Sequence, residues 1–397
     1  FYEQGIGVAV NMETAVTWFR KSADQGDPLA QNDLGRLYQY GTGLAQDDVE
    51  AATWYGKAAA QHLPEAEVNL GFLYEKGRGV PRDPAKAEAL YSDAAAAGNA
   101  NAAFNLANFY AGSMGTAPDF IKARHWYEVA AAGGLPAALN SLGVMYQIGR
   151  GVPADPAKAF ELFHSAAEAG DPDGQANLGA AYVKGLGVAQ DFKAAVVWFR
   201  KAAAQGSPHG QFDLASAYGA GRGIERNEAE AARLMRLAAD QGFADAEFWL
   251  GMWLQNGQHM PRDEKAATAW FRKAAEHGHV RATFTLGMHY DQGVGVAADP
   301  KEAAHWYAKA AAEGDANAQY GLAALYDAGR GVPQDPARAL QLYREAAAQG
   351  QPYAMFNLGD IYRQGAGVPR DLAEAYAWWS LAAARHFPST FTLVRHI

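Results

Sequence analysis

A leucine recurs every 36 residues without one insertion or deletion: Leu34, Leu70, Leu106, Leu142, Leu178, Leu214, Leu250, Leu286, Leu322 and Leu358. A period held across nearly the whole chain excludes an ordinary single-core globule. Each period is too short to bury its own apolar face and must stack on its neighbours. In a chain of 397 residues, length therefore counts repeats rather than domains. Ten complete units follow, at 27–62, 63–98, 99–134, 135–170, 171–206, 207–242, 243–278, 279–314, 315–350 and 351–386. A partial unit precedes them at 1–26, and a tail at 387–397 has Phe387, Phe391 and Val394 at the helical spacing of a cap.

Within a unit, apolar residues fall at helical spacing twice, on either side of a Gly-x-Gly segment, so each unit reads as a helical hairpin. In the first complete unit, Ala30, Leu34, Leu37 and Tyr38 make one stripe, with Gly35 where another backbone can come close. Ala51, Trp54, Tyr55, Ala58 and Ala59 make the second stripe, at i, i+3, i+4, i+7 and i+8. The alanine that opens this second stripe stands in every second helix, from Ala15 to Ala375. Small residues let helices approach and large ones fill the layer between them.

The second helix also has a regular start. Asn11, Asp47, Asp83, Asp119, Asp155, Asp191, Asn227, Asp263, Asp299, Asp335 and Asp371 share one register position, where a side-chain oxygen satisfies exposed backbone N–H groups. Pro84, Pro156, Pro300 and Pro336 follow at the first-turn site, and Glu50, Glu230, Glu302 and Glu374 are spaced to complete capping boxes. The expectation is about 21 or 22 helices and no sheet.

The pattern around Leu142, Gly143, Tyr146, Gly149, Gly151, Val152, Asp155, Ala159, Ala166 and Ala167 resembles the Sel1-like repeat of bacterial proteins, a relative of the tetratricopeptide repeat. The resemblance covers essentially residues 1–386. It implies an all-α, right-handed α/α superhelical solenoid whose first helices line a concave groove, and a scaffold or adaptor role rather than catalysis. Many bacterial members are similar cell-envelope or secreted proteins, so a periplasmic or envelope location is the expectation from the resemblance. One branch staples its repeats with disulfides; this chain has no cysteine and does not match that branch. Phe1 and Tyr2 stand in register with Leu37 and Tyr38, the last turn of a first helix, which leads us to expect an excised fragment.

Composition narrows the function classes. The 34 Lys and Arg against 43 Asp and Glu give a net charge of −9, with no basic run, which argues against nucleic acid as a partner. Apolar residues make up 49% of the chain and mean hydropathy is −0.26, without a stretch long enough to span a bilayer. With no cysteine, thiolate metal sites and thiol nucleophiles are impossible.

The remaining candidate chemistry gives way to simpler readings. The nine Gly-x-Gly pairs at the turn position of the repeat lack the third glycine and the trailing Lys-Ser or Lys-Thr of phosphate loops, and read as turns. Trp18, Trp54, Trp126, Trp198, Trp270, Trp306 and Trp378 share one register position, which reads as interlayer core. His259, His277, His279, His289 and His305 cluster in sequence, but the first lies in a turn at one edge of the stack and the next two at the opposite edge, so no metal is expected. No serine has lysine three residues on and no His-Glu-x-x-His occurs, so no catalytic residue and no cofactor is assigned. Carboxylates such as Glu67 and Asp213 read as solvated faces.

Two features point to recognition. Where other first helices carry a small polar residue before the central leucine, Asp33, Asn69, Asn105, Asn177, Asp213 and Asn357 among them, one carries Trp249. Met252, Trp253 and Asn256 share its side of the helix, and Met288 and His289 take the equivalent rows of the next first helix. Such a cluster is either an exposed partner patch or a local repacking that buries both indoles. The Asn and Asp row could hold the backbone of an extended peptide. The partner expected is a protein or extended peptide. The alternatives are a glycan-directed envelope protein with indoles stacked on sugar rings, and a regulatory repeat segment of a larger protein.

Overall fold

The structure is a computed structural model that describes residues 9–113 and 115–385. The end-of-chain expectations for Phe1, Tyr2, Phe387, Phe391 and Val394 lie outside the described residues. Twenty-one helices and no strand occur among the described residues, and the chain divides into two compact units, residues 1–202 and 203–397. The first holds α1 (Met12–Asp24), α2 (Pro28–Tyr40), α3 (Asp48–Ala59), α4 (Pro64–Lys76), α5 (Pro84–Ala96), α6 (Ala100–Tyr110), α7 (Phe120–Ala132), α8 (Pro136–Ile148), α9 (Pro156–Glu168), α10 (Pro172–Lys184) and nearly all of α11 (Phe192–Ala204). The second holds α12 (Pro208–Ala220), α13 (Glu228–Asp240), α14 (Ala244–Asn256), α15 (Glu264–Glu276), α16 (Val280–Gln292), α17 (Pro300–Ala312), α18 (Ala316–Ala328), α19 (Pro336–Ala348), α20 (Pro352–Gln364) and α21 (Leu372–Ala384).

In the first unit α2 pairs with α3, α4 with α5, α6 with α7 and α8 with α9, in the second each even-numbered helix from α12 to α20 pairs with the odd-numbered helix after it, and within each unit the hairpins stack in chain order. The interior of the first unit is accordingly a series of adjoining clusters rather than one core. Leu34 with Trp54, Tyr55 with Leu70, and Tyr91 with Leu106 each anchor a layer. The glycine after the central leucine sets the spacing within a hairpin. A Cβ built on Gly143 would meet the Phe163 ring at 2.6 Å, and one on Gly35 would meet Tyr55 at 2.7 Å. At these two positions a side chain would have to displace the ring that lies against the helix backbone.

The shared Asn or Asp position caps the second helices as its chemistry requires: Asp47 accepts from the N–H groups of Val49 and Glu50, and Asp155 from that of Lys158. The capping-box glutamates act differently from expectation. The N–H of the cap residue, which the glutamate would have received, already donates to the tyrosine carbonyl nine residues back, as in Asp47 to Tyr38 and Asp299 to Tyr290. Glu50 and Glu302 instead accept from the indole N–H of Trp54 and Trp306 one turn on, and Glu230 pairs with Arg233.

Two further readings need correction. Trp54, Trp198, Trp270 and Trp306 are buried as expected, and Trp126 and Trp378 partly so, but Trp18 on α1 is 58% exposed, its ring under the Lys21 ammonium. Glu67 does not lie on a solvated face. It is 4% exposed, desolvation raises its carboxyl pKa, and His62 stands 3.8 Å away.

Candidate partner-binding cleft

Helix α14 carries its apolar residues on two sides. Ala246, Phe248, Leu250, Trp253 and Leu254 are buried, and the Phe271 ring of α15 lies over Gly251. Trp249, Met252 and Asn256, at i, i+3 and i+7, form the opposite stripe. Trp249 is 41% exposed, Met252 half-buried and Asn256 exposed. The indole four residues on, Trp253, is 6% exposed. The two sequence readings therefore divide between neighbours: one indole fills the layer and the other reaches the surface.

Between α12 and α14 lies a cleft of about 230 Å³ lined by Ser216, Gly219, Ala220, Met235, Trp249, Trp253 and His259. Two substitutions on the repeat pattern shape it. Met235 takes the register position that holds an aromatic ring in every other complete unit, for example Tyr127, Phe163 and Phe271. His259 takes a loop position that is glycine at nine others among the described residues, with φ between 66° and 75° from Gly295 to Gly367 and Gly115. His259 has φ 58°, a left-handed conformation that costs a residue with a side chain about 1–3 kcal/mol and is concentrated at functional sites. Its ring packs against Trp253, with centroids 4.4 Å apart, and against Gly219. Its Nδ1 is buried without a hydrogen-bond partner.

The other sequence-derived candidates separate. On α16, Met288 is half-buried, whereas His289 is fully buried and cannot present itself to a partner. The hydroxyl of Thr268, which has the carbonyls of Glu264 and Val294 to donate to, lies 2.7 Å from His289 Nδ1, and the Gln255 amide lies 3.2 Å from Nε2. A neutral ring donating from Nδ1 and accepting at Nε2 satisfies both contacts. Burial holds the imidazole below its usual pKa, as it does for His279.

The polar row is partly engaged between repeats. Asn69 donates its amide to Asn32 at 2.9 Å and Asn177 to Asn140 at 2.8 Å, each reaching the preceding first helix. Asn105 is half-buried on α6 and Asp213 half-buried on α12, one turn before Ser216. Asn69, Asn105 and Asn177 belong to the first unit, and Asp213, Trp249, Met252, Trp253, Met288 and His289 to the second. Sequence reading missed Ser216, Met235 and the role of His259 in the cleft. The ring-to-methionine and glycine-to-histidine changes were the available signals.

Among the described residues no helix is long and apolar enough to cross a membrane, and no three His, Cys, Asp or Glu side chains converge as a metal site would require.

Comparison with known proteins gives a consistent family. The Sel1 repeat model matches residues 1–27, 28–63, 64–99, 100–135, 136–171, 172–207, 208–243, 244–279, 280–315, 316–351 and 352–386. No curated protein matches the chain. The crystal structure of c5321, described as a protective antigen of uropathogenic Escherichia coli with an SLR fold, is similar at 34% identity and a TM-score of 0.59, over 99% of this chain and 84% of that one. A Sel1 repeat protein from Oxalobacter formigenes is similar at 35% identity and a TM-score of 0.51, over 62% of this chain and 96% of that one. With eleven matched repeats running from residue 1 to residue 386, this chain belongs to the Sel1 repeat family.

Proposed function

We propose that the chain is a non-catalytic scaffold that binds a protein or extended peptide on the outward stripe of its first helices, with the strongest contribution at Trp249 and Met252. Proteins of this repeat family are generally interaction mediators. The observation that carries the finer reading is Trp249, a large indole 41% exposed beside a cleft, in a row otherwise held by small side chains. Desolvating such an indole against a partner contributes about 2 kcal/mol or more. The half-buried Met252 and Met288 extend the apolar area, and the polar row supplies orientation. Because Asn69 and Asn177 already donate to neighbouring helices, backbone capture along that row falls to their remaining polar capacity.

A photo-crosslinking amino acid at Asn256, on this stripe, tests the reading against the same amino acid at Leu237, exposed on the second helix α13. We expect a partner to be labelled from Asn256 and not from Leu237. Equal labelling from both, or labelling from Leu237 alone, would refute the assignment of this face.

A further inference from the structure

The cleft beside Trp249 has a counterpart in the first unit, three periods earlier. Ala111, Tyr127, Ser141 and Met145 stand in register with Gly219, Met235, Trp249 and Trp253, and they line a cavity of about 200 Å³. That earlier cavity is also lined by Arg150, whose guanidinium lies 5.6 Å from the centre of the Phe120 ring. A cation of the protein's own is thus part of it. In the second unit the register position of Arg150 is Gln258 and that of Phe120 is Glu228, and neither lysine nor arginine lines the cleft.

What the second cleft offers in place of the arginine is a set of acceptors. Ser216 donates its hydroxyl proton to the Phe212 carbonyl, which leaves its oxygen able to accept. The His259 ring lines the cleft with Nε2 on the side of Gly219, and with its proton on Nδ1 it can accept there. The Gly219 carbonyl stands in the last turn of α12, where unpaired carbonyls carry partial negative charge. Its counterparts in three other repeats receive a side-chain donor: the Glu75 carbonyl from Arg82, that of Val183 from Gln190 and that of Asp327 from Gln334. The equivalent side chain here, Arg226, gives its guanidinium to Glu228 at 2.5 Å instead. Around these acceptors, Met235 and the two indoles make walls suited to a methylene stem, and indole faces attract a cation. The net charge of −9 favours a basic partner at longer range.

We propose that this cleft receives one arginine or lysine side chain from an extended segment of a partner protein. The stem lies against Met235, Trp249 and Trp253, and the head meets Ser216 Oγ, His259 Nε2 and the Gly219 carbonyl. The proposal rests on reading the Trp249 stripe as a partner surface, and adds the chemistry that the surface selects.

The test uses the whole chain and four capped pentapeptides, Gly-Ser-X-Ser-Gly, with X arginine, lysine, citrulline or leucine, followed through the indole N–H signals of Trp249 and Trp253. We expect the arginine and lysine peptides to bind at least about tenfold tighter than the citrulline and leucine peptides, and to weaken as salt rises from about 50 to about 500 mM. His259→Gly restores the residue used in the other loops, so it should fold, and it should weaken the arginine peptide about threefold or more. Leucine binding as well as arginine, an unchanged affinity in His259→Gly, or no peptide binding at about 20 mM would overturn the proposal. Crosslinking from Asn256 without a cationic preference removes the cleft assignment alone. A cationic preference without that crosslinking sustains the cleft and removes the surface reading.

Discussion

Phe271 lies over Gly251 so closely that a Cβ on the glycine would come within 2.7 Å of the ring. The same approach joins Gly179 to Phe199 and Gly287 to Tyr307, so a helix-destabilising residue is kept in a helix interior because a ring needs its space. Replacing Gly251 by alanine should lower stability by about 1–3 kcal/mol through overpacking, despite the better helix propensity of alanine. Ala215 occupies the same register opposite the slimmer Met235, and Ala215→Gly should cost only about 1 kcal/mol. Urea midpoints of the two variants check the contrast; a stabilised Gly251→Ala protein would refute it.

A second prediction concerns Glu247, 1% exposed, whose Oε2 lies 2.8 Å from His277 Nδ1. In three other repeats these two positions hold glutamines in amide contact: Gln31 with Gln61, Gln211 with Gln241, and Gln319 with Gln349. Removing one member, as in His277→Ala, leaves a buried carboxylate short of a donor and should cost about 1–3 kcal/mol. The double change Glu247→Gln with His277→Gln restores the pair used elsewhere and should remain within about 1 kcal/mol of the parent. A double variant as unstable as the single one would show that the ion pair, rather than its satisfied hydrogen bond, is what stabilises the layer.

Acid should loosen α16 and its neighbours before the rest of the second unit. Burial holds His279 and His289 below the usual imidazole value, so the unfolded chain binds more protons. Stability is then full above about pH 6.5, the unfolded value, and is lost as pH falls through the lower folded values. Protonation of His289 would also turn its Nε2 from acceptor to donor against the Gln255 amide. Hydrogen exchange at about pH 7.5 and about pH 5.5 should show a fall in protection across α15 and α16 that His289→Gln reduces. Equal protection at both values would contradict it.

The hairpins, their caps and their register were legible because the leucine period and the Asp position report local requirements that every repeat must meet. The site was only half legible. Trp249 and Trp253 look alike in sequence, and their exposures of 41% and 6% are decided by which side of α14 faces α15. His289 sits one residue after Met288 yet is fully buried, because its register position turns inward to Thr268. Glu67 was hidden for a similar reason: its position is occupied elsewhere by buried glutamines such as Gln31 and Gln175, a polar identity that does not signal exposure.

The central claim is that Trp249 serves a partner while Trp253 serves the fold, and one comparison tests it most directly. Trp249→Asn and Trp253→Asn are each measured for thermal stability and for affinity toward the partner recovered by crosslinking from Asn256. Trp249→Asn should weaken binding at least about tenfold and stay within about 1 kcal/mol of the parent in stability, whereas Trp253→Asn should lose about 3–5 kcal/mol. A Trp249→Asn protein that is strongly destabilised and binds with unaltered affinity would contradict the account.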